Sequence, residues 1–148
     1  MISHGRFRLA NLGDLAWNQE AELVCPANLL GPADVYLTTA HGQAISGPPA
    51  LVRALGPRAI IMNNALNKGG DSPTLSVLKS SGADVWQLHF SKLPAAPGEN
   101  APESFIANPD EADPGHWIKI SAQADGTFVV TNSRNNVAKT YNPSRSTN

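Results

Sequence analysis

Cysteine is nearly absent from this chain of 148 residues. The single one, Cys25, rules out an intrachain disulfide and any zinc site built from several thiolates. Its place near a helix end reads as that of a small apolar packing residue. Charge of one sign is also lacking: the net charge is −1, with charged residues at 16%, and no run of Lys or Arg occurs. The phosphate-neutralising surface that nucleic-acid binding demands is therefore not expected. No apolar run nears the roughly 18 residues of a membrane span, and the opening MISHGRFRL is no signal peptide. These absences describe a soluble protein whose compartment is open. Internal repeats, heptads, a glycine-rich phosphate loop and local chelating motifs such as H-x-H-x-D-H or H-E-x-x-H are missing too.

What is present is an apolar content of 41%, enough for one domain with a proper core. Arg6-Phe7-Arg8-Leu9 alternates polar and apolar residues, as a strand does, and runs into the turn Gly13-Asp14. Asn18 is placed to cap a short helix over 19–24 that Pro26 stops. Val35-Tyr36-Leu37 reads as a second strand. Pro49 opens a helix with Leu51, Val52 and Leu55 on one face, and Gly56-Pro57 ends it. Ala59-Ile60-Ile61-Met62 reads as a strand buried on both faces. Ser72-Pro73 opens a helix carrying Leu75 and Leu78, closed by Gly82, and a strand follows over 85–90. Strand and helix alternating at this spacing predict right-handed βαβ units in a largely parallel sheet.

Beyond this the pattern changes. Residues 94–114 are proline-rich and acidic, with no periodicity, and read as a long surface loop. Ile118, Ile120, Ala122 and Ala124 then alternate with polar residues. Asp125-Gly126 turns the chain into Thr127-Phe128-Val129-Val130-Thr131, a β-hairpin by pattern and turn. The expected organisation is one α/β domain over 1–132, a mixed sheet with flanking helices and a C-terminal hairpin, followed by a polar, frayed tail over 133–148.

The candidate chemistry lies in the turns. His4, His41, His89 and His116 are scattered, so a metal site must be assembled from separate strand ends. Asp14 follows the first strand and His41 the second, and ligands gather at the carboxyl ends of strands in α/β sheets. A carboxylate and an imidazole suit Zn²⁺ or Mn²⁺, although a catalytic zinc normally has three protein ligands or more. The plainer alternatives stay open: Asp14 as a turn cap, His41 as an ordinary loop residue, and His89 as a hydrogen-bonded strand residue. His4 and His116 read as structural or solvated. Lys68-Gly69-Gly70 is either a flexible turn or a small anion cradle.

The blocks GRFRLANLGDL, ADVYLTTAHG, PPALVRALGPRAIIMNN and NKGGDSPTLSVLKSSGADVWQLHFS, in this order, resemble the C-terminal half of a metallo-β-lactamase-fold hydrolase. The nearest branch is that related to the soluble domain of DNA-uptake channel proteins. The resemblance runs from about Gly5 to Phe90, and the later hairpin suits the same fold. It implies half of a four-layered αββα sandwich. It also implies that Asp14 matches a metal-bridging aspartate, and that Ala40-His41-Gly42 matches a His-His-Gly loop whose first histidine is replaced. Which histidine of that pair would hold the metal is left open. The H-x-H-x-D-H motif of the first half has no counterpart.

Two expectations follow from the missing half. A sheet built to pack on another would expose an apolar face, which a symmetric homodimer would cover while bringing Asp14 and His41 of both chains together. The function expected first is a minimal hydrolase of an ester, lactone or phosphoester bond in a small-molecule substrate. There a bound Zn²⁺ or Mn²⁺ lowers the pKa of its water from near 16 towards about 7. Asp14 and His41 would be its ligands, with Lys68 or His89 stabilising developing negative charge. The alternative is a non-catalytic binding or dimerisation module.

Overall fold

The computed structural model describes residues 1–94, 98–112 and 114–143. A six-stranded sheet forms the centre. Its strands are β1 (Ile2–His4), β2 (Phe7–Asn11), β3 (Val35–Leu37), β4 (Ala59–Met62), β5 (Asp84–His89) and β6 (Ile106–Asn108), in sequential spatial order. β1 and β2 are antiparallel, and every later neighbour pair is parallel. Three helices make the crossovers: α1 (Trp17–Val24), α2 (Pro49–Leu55) and α3 (Ser72–Ser80). A second, antiparallel sheet holds β7 (Ile118–Ala122), β8 (Phe128–Asn132) and β9 (Ala138–Tyr141).

Sequential order joined by crossovers of one hand places all three helices on one face of the sheet. The period of two along each strand then divides the core. Ala10, Tyr36, Ile60, Met62 and Val85 point towards Leu51, Val52, Leu55, Leu75 and Leu78 of the helices. Phe7, Val35, Ala59, Ile61 and Trp86 point the other way, onto Phe128, Val130 and Tyr141 of the small sheet. β4 is buried at all four positions, as its unbroken apolar run predicts. The result is a helix layer, a central sheet and a smaller sheet. The mixed α/β class expected from the sequence is present, with its three helices and C-terminal antiparallel strands.

The apolar face that motivates a homodimer is therefore covered within the chain, by β7, β8 and β9. Trp86 and Phe128, both fully buried, anchor this second interface. Phe128 stacks on Tyr141 at 4.6 Å between centroids, and Trp86 stacks on Phe105 at 4.0 Å.

Four local expectations are corrected. Asn18 is not the cap of α1: the helix begins at Trp17, and Gln19 Oε1 accepts the N–H of Ala16. The segment 94–114 is not loop throughout, for Glu103–Phe105 makes a short 3₁₀ turn and β6 pairs with β5. Asn132 Nδ2 and Arg134 Nε both donate to the carbonyl of Ile106, securing this short strand from outside. The tail from Ser133 is not frayed through its described part: Ala138–Tyr141 pairs with β8, and the Tyr141 hydroxyl donates to Asp84 Oδ2 at 2.7 Å while accepting from Trp86 Nε1 at 3.0 Å. Residues 144–148 of that expected tail lie outside the described residues. Cys25, expected to pack, is a free and exposed thiol. No helix among the described residues is long and apolar enough to cross a membrane.

Candidate functional site

The carboxyl ends of the parallel strands converge on one edge of the sheet, where two loops carry the residues of interest. After β2, Asn11 Oδ1 accepts the N–H of Gly13 at 3.1 Å, so Asn11 rather than Asp14 closes this turn. Gly13 has φ +64 and its carbonyl accepts the N–H of Ala40 at 2.9 Å. That bond ties the loop bearing Asp14 to the loop bearing His41. β2 and β3 are neighbours in the sheet, so adjacent strand ends meet as the sequence pattern predicts.

The loop after β3 is strained. Ala40, His41 and Gly42 have φ of 45, 61 and 76 in succession. For an L-residue this left-handed conformation costs roughly 1–2 kcal/mol, so the surroundings must impose it. They do so from the turn after β4. Gly70 N–H lies 3.2 Å from the carbonyl of His41 and 3.1 Å from that of Gly42, and Asp71 N–H donates to Gly42 as well. A Cβ on Gly69 would stand 2.0 Å from the His41 carbonyl oxygen, so only glycine allows this approach. Asp71 Oδ2 accepts the N–H of Ala44 at 2.8 Å. The Gly70 amide is thus spent on the histidine loop, which takes it out of the anion cradle considered for Lys68-Gly69-Gly70.

This frame aims the His41 ring. Nδ1 is 3.0 Å from the carbonyl oxygen of Asn63. A carbonyl only accepts, so Nδ1 bears the proton of the neutral ring and Nε2 carries a lone pair. Nε2 faces Asp14 Oδ1 at 3.8 Å, beyond direct hydrogen-bond range. The side chain of His41 is 29% exposed and that of Asp14 is 76% exposed, so the pair opens to solvent.

Two donors flanking a gap resemble part of a metal site. An ion bound tetrahedrally at about 2.1 Å from each would hold them roughly 3.4 Å apart, close to the observed separation. The tether from the second ring nitrogen to a carbonyl is the usual support of a metal-ligating histidine. The number of donors is the obstacle. No group of three or more His, Cys, Asp or Glu side chains able to hold a metal occurs among the described residues. The donor set fits a metal in chemistry and spacing, and falls short of a catalytic zinc in count.

The other sequence candidates do not join the pair. Lys68 sits in an exposed turn closed by Ala65 and Lys68 backbone bonds. His89 ends β5, which β4 separates from β3, and its backbone is held on both sides by the Asn64 amide. His4 is exposed in β1, and His116 exchanges backbone hydrogen bonds with the Asn108 side chain.

Beneath the strained loop lies a group the sequence reading missed. Glu20 of α1 is fully buried; its Oε2 accepts the N–H of Gly47 at 2.8 Å, and its Oε1 has no hydrogen-bond partner. Burial pushes its carboxyl pKa upward, against the lowering effects of the Thr39 hydroxyl and the Gly47 amide. Tyr36 and Thr39 share a hydroxyl–hydroxyl bond of 2.8 Å beside it. Burial raises the Tyr36 phenol to about 12. The signal in the sequence was its spacing: Glu20 stands four residues before Val24, on the face of α1 turned to the core.

No protein-family model, curated protein or solved structure matches this chain. The resemblance to metallo-β-lactamase-fold hydrolases in the sequence blocks accordingly has no support from these comparisons.

Proposed function

We propose that the chain is half of a metallo-β-lactamase-like frame, and that Asp14 and His41 form a two-donor half-site for Zn²⁺ or Mn²⁺. On its own it acts as a binding module. The observation that carries this reading is the pair of donors, 3.8 Å apart, with Nε2 of His41 directed at Asp14 by the bond from Nδ1 to Asn63. Two protein ligands can hold a divalent ion weakly, while a hydrolytic centre needs more. Asp14 and His41 would bind and orient the ion, and no catalytic role for Lys68 or His89 is included.

A second reading is favoured by the openness of the pair. With Asp14 largely exposed at the sheet edge, a second copy can approach and add its own two donors. Four donors would meet the requirement of a minimal hydrolase acting on an ester, lactone or phosphoester.

Metal content and molecular mass, measured together on untagged protein, separate the cases. One Zn²⁺ or Mn²⁺ per monomeric chain, lost in Asp14→Asn and His41→Asn, supports the half-site. One or two ions per dimer, with esterase or phosphodiesterase activity lost in the same variants, supports the second reading. Absence of binding after incubation with either metal overturns both.

A further inference from the structure

At the end of the sheet opposite Asp14 and His41, the starts of β2, β3 and β4 border a pocket of about 250 Å³. Three guanidinium groups line it, those of Arg6, Arg8 and Arg58, together with the carboxylates of Asp34 and Asp125. Three cations and two anions leave the pocket one positive charge in excess, on a chain whose net charge is −1.

The carboxylates are already engaged. Asp34 accepts the backbone N–H of Arg8 on Oδ2 at 2.8 Å and Arg58 Nη2 on Oδ1 at 2.6 Å. Asp125 accepts both the N–H and the hydroxyl of Thr127, and its negative charge is set against Arg6. Arg8 and Arg58 keep part of their donor capacity. Arg8 donates Nη2 to the carbonyl of Leu30 at 2.6 Å, a neutral acceptor that leaves its charge uncompensated. Arg58 lies over the Phe128 ring at 4.7 Å and donates to the carbonyls of Gly126 and Asn142, yet its buried Nε has no partner. That Nε is occluded from solvent, so Arg58 would meet an anion in the pocket through its charge and not through this N–H.

The groups are also held in place. Arg6 N–H donates to the Ala124 carbonyl at 2.8 Å, and a Cβ on Gly5 would stand 2.2 Å from that same oxygen, so the β1–β2 turn is locked against the β7–β8 turn. Arg8 lies against Gly31, where a Cβ would be 2.8 Å from Nη1. A planar guanidinium fork held in place like that of Arg8 matches the oxygens of a phosphate group.

We propose that this pocket binds a phosphate group, held by Arg8 and Arg58 with Arg6 at its rim. The volume admits a free phosphate or the phosphate end of an ester.

The test is a titration of the full chain with inorganic phosphate and, separately, glycerol phosphate, at low ionic strength. It is followed by the NMR signals of the arginine Nε–H groups. The expected result is saturable binding at one site that shifts the Arg58 Nε–H signal, weakened about tenfold or more in Arg8→Gln. Arg53→Gln, on the exposed side of α2, should bind as the unaltered chain does. Tighter binding of the ester identifies a phosphoester ligand and equal binding a free phosphate; both sustain the proposal. Arg8→Lys, which keeps the charge and loses the fork, serves if the glutamine variant fails to fold, and it too should bind more weakly. Shifts that spread over all arginines without saturating, or affinity unchanged in the folded Arg8 variant, would overturn it.

Discussion

The ring of His41 faces the carboxylate of Asp14 across 3.8 Å, Nε2 to Oδ1, while its other nitrogen is fixed on the Asn63 carbonyl. The pair is too far apart to bond and too exposed to stabilise. An ion pair open to solvent contributes between nothing and about 1 kcal/mol. Asp14→Asn should therefore leave the urea midpoint within that margin of the unaltered chain, while abolishing any zinc binding seen by calorimetry. A large loss of stability with metal binding intact would show that Asp14 serves the fold.

Two glycines with like backbone angles should respond differently to alanine. Gly69 at φ +77 would place a Cβ 2.0 Å from the His41 carbonyl, whereas Gly13 at φ +64 has open space around it. Gly13→Ala carries only the left-handed penalty, about 1–2 kcal/mol. Gly69→Ala adds a backbone clash and should cost about 3 kcal/mol or more. Thermal unfolding of both variants measures the difference, and the His41 ring signals should move only in the Gly69 variant.

Glu20 should make stability depend on pH. Its folded-state pKa is raised by burial, so the folded chain holds this proton more tightly than the unfolded chain. The stabilisation is fully present below the ordinary glutamate pKa and is lost as pH rises through the higher folded value. Glu20→Gln keeps an acceptor for the Gly47 N–H and removes the titration. Urea unfolding across this range should fall with pH in the unaltered chain, and the difference between the two proteins should grow steadily in favour of the glutamine variant.

The tail gives a direct comparison of expectation and structure. A frayed segment could be deleted without effect. Removing residues 133–148 instead strips β9, uncovers Phe128 and deletes the Tyr141 bonds to Trp86 and Asp84. Uncovering aromatic core of this size costs about 3–5 kcal/mol, so the shortened chain should be largely unfolded by circular dichroism. Tyr141→Phe, which removes the hydroxyl alone, should cost about 1–3 kcal/mol.

Much of the frame was legible because strand and helix periodicities there are strong. Val35–Leu37, Pro49–Leu55 and Ala59–Met62 fall where their apolar patterns put them, and Pro49 and Gly56 bound the helix. Asp14 and His41 were legible as partners because turns after neighbouring parallel strands must meet. β6 was not, since three residues, Ile106, Ala107 and Asn108, are too few to display a period. β9 was hidden for another reason: Ala-Lys-Thr-Tyr is exposed at three of its four positions, and it is Tyr141, stacked on Phe128 and bonded to Trp86 and Asp84, that ties it to the core. Glu20 escaped notice because a glutamate in a short helix reads as solvated until the Gly47 amide is found beneath it.

The small sheet covers the central one last in chain order, because β7, β8 and β9 all follow β6. While the chain is being synthesised, Phe7, Val35, Ile61 and Trp86 are finished long before Phe128 and Tyr141 emerge to cover them. For that interval the nascent chain presents a naked sheet face, the kind of surface that recruits chaperones or other nascent chains. Yield in the cell should then depend on how quickly the residues of β7, β8 and β9 are translated, even where the stability of the finished protein is unchanged.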